Sequence, residues 1–327
     1  MPASKEYNEL SHDGVTGPFP RFIDDQHLAE IRTFVEHVIR NQPSHPLYGT
    51  YSVRDWHLDF EPLLRLLTAP ILVHAIQRAT GADDLILWRS KIFEKFPGEG
   101  PIDWHQEYGY FDGEEAGGHR PALYPLGPDS PWNWTLWLPL TDVGEYGGVM
   151  EFVPGSHLRR YPTRMVPLTR SGAFVDPHHR VTTKEELITR AKANSLIVDV
   201  DTRNAFSGIN TDLYSFAELS ALLLQYCDRT LAAVTEPFDT SSVATRVFPM
   251  NAGDFLIFSE RCMHRSRGAQ SDAPLRLAIS ARYALGSTWV YPQRAHGDSL
   301  DGSHIDVAQH RCVKAAGSSF TPLNDYL

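Results

Sequence analysis

Cysteine is scarce in this chain. There are three, Cys227, Cys262 and Cys312, far apart and with no CxxC pair. An odd, scattered set excludes a disulfide framework, makes a structural zinc site improbable and fits a reducing compartment, so a cytoplasmic location is expected. Long apolar runs are also missing. No stretch approaches the roughly 20 residues of a spanning helix, and the opening MPASKEYNELSHDG lacks the apolar centre of a secretory signal. Positive charge is in deficit: 30 Lys and Arg against 40 Asp and Glu leave a net −10. That sign disfavours general nucleic-acid binding and adhesion to anionic membranes, because both need a basic surface. No HExxH or comparable zinc-hydrolase motif occurs.

What is present reads as an ordinary globular protein, 42% apolar and 21% charged over 327 residues. Gly and Pro, 23 of each, punctuate the chain in a way that suits many short strands. Two amphipathic helices are predicted early. One covers 24–41, with Leu28, Ile31, Phe34, Val35 and Val38 at helical spacing and Asp24 or Asp25 as its cap. The other covers 59–80, with Asp59 as its cap, Leu63, Leu66, Leu67, Ile71 and Ile76 inward, and a stop at Gly81. The texture then changes. Segments 85–96, 134–141, 148–153, 196–200, 245–249, 254–259 and 275–285 are rich in β-branched and aromatic residues and bounded by turn formers, the pattern of a β-sandwich or barrel. Between them, 182–193 and 215–234 read as helices. We expect one domain over 1–327, mainly β with flanking helices: an N-terminal helical part (1–84) packs on the sheet, and 205–243 forms an insertion or lid.

Fifteen histidines direct attention to metal chemistry. Two histidines and one carboxylate on one side of an ion leave positions open for reactants, the arrangement of non-haem Fe(II) oxygenases. Its sequence signature is His-x-Asp/Glu followed by a distant His, since residues i and i+2 of a strand point the same way. His57-Leu58-Asp59 lies at a helix start, where i and i+2 diverge. His304-Ile305-Asp306 has only His310 downstream. His105-Gln106-Glu107 follows a strand and loop and has His264 far downstream, after the strand-like AGDFLIFSERCMH. The next strand carries Leu275, Leu277, Ile279, Ala281 and Tyr283 on one face and Arg276, Ala278, Ser280 and Arg282 on the other. With its apolar face under helices, the second face suits a cavity that holds an anion. Arg89, Lys91 and Phe93 share a face of the strand before the motif. If that face is internal, Arg89 meets the cosubstrate or an anionic substrate and Lys91 the substrate; otherwise it is a solvated basic edge. Tyr108 and Tyr110 are candidates to line the pocket.

HQE, then WTLWLPLTDVGEYGGVMEFVPGSH, then GDFLIF with H-x-S and R-x-A-I-S, in that order, resemble the phytanoyl-CoA dioxygenase (PhyH) family of Fe(II)/2-oxoglutarate oxygenases. The likeness runs over about residues 10–290. It implies a double-stranded β-helix (jelly roll, cupin-like), with His105, Glu107 and His264 as iron ligands. It also implies Arg276 on the distal carboxylate of 2-oxoglutarate, Ser266 beside it, and Trp134 bordering the cosubstrate. Gly147-Gly148 and Pro154-Gly155-Ser156-His157 read as scaffold, with His157 structural. Two positions depart from the family. Glu107 stands where Asp is usual, still a hard anionic ligand, and the Asn often found after the second His is replaced around Ala269. The halogenases related to the family carry Gly or Ala at the carboxylate position, so Glu107 argues against that chemistry. The implied reaction consumes O2 and 2-oxoglutarate, releases succinate and CO2, and hydroxylates a small polar metabolite or natural-product intermediate. Desaturation, cyclisation or epimerisation are alternative outcomes, and an inactive jelly-roll binding protein is the alternative from another class. The expected partners are a small-molecule substrate and a second copy in a homodimer, with no nucleic acid and no membrane.

Overall fold

A computed structural model describes residues 4–42, 44–49, 51–107, 122–124, 133–161, 181–193, 196, 202–231, 238–301 and 305–327. Tyr108, Tyr110, Trp132, Arg164, His178, His179, His304 and nearly all of the strand expected at 196–200 lie outside these residues.

Two antiparallel sheets face each other. The larger has six strands: β1 (Val15–Phe19), β2 (Leu85–Lys95), β5 (Trp134–Pro139), β8 (Phe255–Ser259), β10 (Arg276–Leu285) and β12 (Val313–Ala316), in the order β1-β8-β5-β10-β2-β12. The smaller has β3 (Ile102–His105), β6 (Met150–Phe152), β7 (Arg246–Phe248) and β9 (His264–Ser266), in the order β3-β9-β6-β7. A short pair, β4 (Leu123–Tyr124) with β11 (Trp289–Val290), stands apart. This is the expected jelly roll. β1 falls within the N-terminal part read from sequence as helical. Its Gly and Pro hid it, and an edge position is where a sheet accommodates Pro.

Strand alternation gives the large sheet two different faces. Leu277, Ile279, Ala281 and Tyr283 of β10, with Trp134, Leu136 and Leu138 of β5, pack against four helices: α1 (Lys5–Asp13), α2 (Asp25–Asn41), α3 (Glu61–Leu67) and α4 (Pro70–Thr80). Trp137, Leu256, Phe258 and Ala278 point the other way and meet Val149 together with Met150, Phe152 and Phe248 of the smaller sheet. The site lies on this inner side.

α2 begins as predicted, with Asp24 accepting a hydrogen bond from the His27 amide. The helix expected over 59–80 is instead two helices, with a preceding 3-10 turn over Trp56–Leu58. Pro70 supplies no N–H, and the residue before a proline is driven out of helical space; Ala69 accordingly has ψ 132. Asp59 is not the cap, since α3 starts from Phe60 with no side-chain capping bond. Ile71, expected inward, is 58% exposed because the break re-phases α4.

α5 (Lys184–Lys192) and α6 (Phe216–Leu231) pack on each other around Leu187, Ala191, Phe206, Leu219, Leu223 and Cys227, a cluster separate from those of the barrel. No helix among the described residues is long and apolar enough to cross a membrane.

Candidate metal centre

His105 ends β3 and His264 begins β9, and the two are direct partners across the antiparallel ladder. Their ring centres are 4.1 Å apart. Glu107 follows just beyond β3, where its amide donates to the Glu260 carbonyl at 2.9 Å. The intervening Gln106 turns away. Its Nε2 reaches the carbonyls of Ser156, Arg159 and Arg261 and its Oε1 accepts from the Tyr161 amide, which pins this stretch to the loop after β6 and to the turn between β8 and β9. One metal-ligating atom from each of His105, Glu107 and His264 lies within 4.8 Å of the others, the only such grouping among the described residues.

The protonation states suit a cation. His105 Nδ1 lies 2.7 Å from the Asp103 carbonyl and His264 Nδ1 lies 2.7 Å from the Cys262 carbonyl. A carbonyl only accepts, so each Nδ1 carries the proton and each Nε2 keeps its lone pair for an ion. Burial lowers both imidazole pKa values, that of His264 to about 3 with help from neighbouring His105, so both rings are neutral ligands at physiological pH. Burial works to raise the Glu107 pKa, but the Arg282 guanidinium and the two imidazoles outweigh it and hold the carboxyl below its usual range. Two buried, neutral nitrogens and one half-buried carboxylate converging on one point are the donors a ferrous ion accepts.

Around this triad are residues to which the sequence reading gave no role in binding. Arg282 donates to both oxygens of Glu107, at 2.8 and 3.1 Å, and pairs with Glu260 at 2.5 Å. Glu260 is fully buried and also accepts from the Thr135 hydroxyl at 2.7 Å; burial and nearby Glu107 raise its pKa. Glu260 follows a strand and reads in sequence as an exposed turn residue. Arg282 was visible on the inward face of its strand, but nothing local connects it to Glu107.

Six residues back along β10, Arg276 is 2% exposed and donates to the Gly148 carbonyl at 2.8 Å and the Ser266 hydroxyl at 3.2 Å. Its Nε, also buried, has no hydrogen-bond partner. Directly opposite on β2 stands Lys95, with its ammonium 2.6 Å from the Gly100 carbonyl. Burial lowers the pKa of both, Arg276 to about 10 and Lys95 to about 8, the latter also through Arg276. Arg276 and Ser266 are thus brought together as expected. Trp134 is not with them. It faces the helices, and Trp137 is the indole beneath Arg276, at 5.7 Å. The reason is parity: Trp137 lies opposite Ser280 on the inner face, while Trp134 lies opposite Tyr283 on the outer one.

Arg89 and Lys91 do face inward, opposite Arg282 and Ser280 respectively, and both are buried. Arg89 lies at the Glu107 end of the barrel, away from Arg276, where it donates to the Tyr291 hydroxyl and to Asp301. Arg54 also pairs with Asp301, at 2.8 Å. The Lys91 ammonium lies 5.3 Å from the Phe93 ring centre. His57, from the discarded HLD motif, is buried against the Ser90 hydroxyl. His157 reaches the Ser11 carbonyl and is structural.

A jelly roll with a two-histidine, one-carboxylate centre on its inner side defines a class, the non-haem iron oxygenases. The profile of the phytanoyl-CoA dioxygenase (PhyH) family matches residues 19–278, so the chain belongs to that family and is an Fe(II)/2-oxoglutarate-dependent oxidoreductase. No curated protein matches the sequence. Among solved structures, the chain is similar to CytC3 with Fe(II) and alpha-ketoglutarate, at 18% identity and TM-score 0.62, covering 99% of this chain and 92% of that one. It is also similar to the non-heme monooxygenase ThoJ, at 16% identity and TM-score 0.57, covering 99% and 86%. A third is the alpha-ketoglutarate-dependent epimerase SnoN from nogalamycin biosynthesis, at 18% identity and TM-score 0.54, covering 88% and 82%. At these identities the likeness speaks for the shared fold.

Proposed function

We propose that His105, Glu107 and His264 hold Fe(II), that Arg276 and Ser266 bind the distal carboxylate of 2-oxoglutarate, and that the enzyme hydroxylates a C–H bond of a small polar metabolite or natural-product intermediate. The observation that carries this reading is the pairing of a preformed triad with a sealed, partly unsatisfied guanidinium on the same inner face. With 2-oxoglutarate, the iron supplies the oxidising power drawn from O2, and succinate and CO2 leave. The protein orients and insulates. Its neutral imidazoles and single carboxylate leave coordination positions for reactants. Arg276 presents a planar fork to a carboxylate, and Lys95 adds a second positive charge at that end. The aromatic walls, Trp137 and Phe152 among them, exclude water.

The substrate enters this reading at the other end, beside Glu107, where Arg89 and Lys91 face inward. Tyr108 and Tyr110, next in sequence after Glu107, are candidates for contact with the substrate. Residues 205–243, which include α6, are assigned as a lid. Phe238, within that segment, packs edge-on against Trp104, the neighbour of His105, with ring centres 5.8 Å apart.

The test is succinate formation that depends on Fe(II), 2-oxoglutarate and a candidate substrate, with product mass read alongside. Gain of one oxygen atom supports hydroxylation. Loss of two hydrogens, or an unchanged mass with inverted stereochemistry, selects desaturation or epimerisation instead. No succinate under any condition leaves a binding protein and overturns the proposal.

A further inference from the structure

Glutamate at the carboxylate position raises a problem of geometry. Its side chain has one more rotatable bond than aspartate, and a carboxylate can hold a cation through one oxygen or through both. Chelation through both oxygens takes a coordination position that 2-oxoglutarate or O2 needs. The edge of the carboxylate used for chelation lies between its two oxygens. In this protein that edge is taken: a single nitrogen, Arg282 Nη2, lies 2.8 Å from Glu107 Oε2 and 3.1 Å from Oε1. One donor within hydrogen-bond distance of both oxygens sits where a chelated ion would sit.

Arg282 cannot easily leave. It is 6% exposed and held from behind by Glu260 at 2.5 Å. Glu260 is fixed in turn by the Thr135 hydroxyl at 2.7 Å, and its own backbone carbonyl accepts from the Glu107 amide. Thr135 is the cross-strand partner of Arg282, so the support comes from the rigid centre of the large sheet. The same element thus fixes both the main chain and the side chain of Glu107. Outer residues of this kind orient ligands, and their loss commonly costs 10- to 100-fold in metal affinity or activity.

We propose that Arg282, braced by Glu260 and Thr135, is a positioning residue that occupies the chelating edge of Glu107 and so restricts it to one-oxygen ligation of the metal. This rests on the triad being the metal site. Arg282 keeps a coordination position free, and the 2-oxoglutarate affinity follows from it even though Arg282 lies at the opposite end from Arg276.

The test loads wild type, Arg282→Met and Arg282→Lys with Mn(II) and counts exchangeable water ligands from the broadening of the electron paramagnetic resonance lines in 17O-enriched water. Three waters are expected in wild type, filling the open positions of the triad, and two in Arg282→Met, with 2-oxoglutarate affinity lowered about tenfold or more. Arg282→Lys keeps the buried charge and serves if the methionine variant does not fold; Arg282 uses Nη2 for Glu107 and Nε for Glu260, and a single ammonium cannot hold the Glu107 edge while braced in the same way, so it too loses a water. A count of three in a folded variant with unchanged 2-oxoglutarate affinity overturns the proposal. Failure of wild type to bind Mn(II) sinks the metal assignment itself, a distinct result.

Discussion

Arg276 and Lys95 stand opposite each other on neighbouring strands, both buried, and burial together with the Arg276 charge lowers the pKa of Lys95. Two cations sealed side by side are costly unless an anion joins them. Carbonyls of Gly148 and Gly100, and the Glu99 carboxylate 4.0 Å from the Lys95 ammonium, supply partial compensation. A dicarboxylate whose far end reaches this pair completes it.

Arg276→Ala is therefore expected to raise the 2-oxoglutarate requirement about 10- to 100-fold, since hydrogen bonds to charged groups contribute about 1.5–3 kcal/mol. The substrate requirement should move far less. Steady-state kinetics with each reactant varied in turn checks this, and an unchanged cosubstrate KM places the arginine elsewhere.

Glu107→Ala removes the only anionic member of the triad. Succinate formation should fall by more than about 100-fold, beyond the range typical of outer-shell partners. Wild-type-like turnover with added Fe(II) would refute the ligand assignment.

Gly148 adopts φ +79, and a Cβ there would come within 2.4 Å of Lys95 Cδ. Its carbonyl also accepts from Arg276. Gly148→Ala should cost about 1–2 kcal/mol in backbone strain and displace Lys95, so the 2-oxoglutarate KM rises. Thermal melting and kinetics together separate the two effects.

The two tryptophans of β5 should behave differently. Trp134→Ala empties the helix-side core and should destabilise the fold by about 3–5 kcal/mol. Trp137→Leu removes the ring under Arg276 and should show mainly in cosubstrate affinity. Denaturant titration of both variants, beside 2-oxoglutarate binding, tests the division. Equal losses of stability with equal cosubstrate affinity contradict it.

Acid stability carries a further signature. Burial drives His45, His57 and His310 down to about 4, from an ordinary value near 6.5. Asp55, within their electrostatic reach, acts to raise all three. The unfolded chain binds protons first as pH falls, so the native state loses stability below about pH 6.5 and continues to lose it toward 4. Melting of the metal-free protein at pH 7.5 and pH 5 should show the drop. His45→Phe, which preserves the stacking on Tyr48 and the tilted contact with Trp56, should reduce it.

Much of this was legible in the sequence. Six of the seven predicted strands appear nearly at their expected bounds, because alternation and turn formers are local signals. The faces of Leu275–Tyr283 were readable for the same reason, and so was the convergence of His105, Glu107 and His264, since i and i+2 parity plus a distant histidine is a pattern. The failures are equally physical. The break at Pro70 followed from a rule about the residue before proline that the periodicity overrode. Trp134 owes its expected role to its place in a motif, against the parity of its own strand. Glu260 and Lys95 left no local trace, because only tertiary pairing tells a buried carboxylate or ammonium from a solvated one.

The α5–α6 pair has a core that shares no residue with the barrel clusters. It is therefore expected to exchange its amide hydrogens as its own cooperative unit, with a protection factor set by its few apolar contacts rather than by the global unfolding free energy. Evolution could exchange such a unit between relatives to suit a new substrate without disturbing the ladder that pairs His105 with His264.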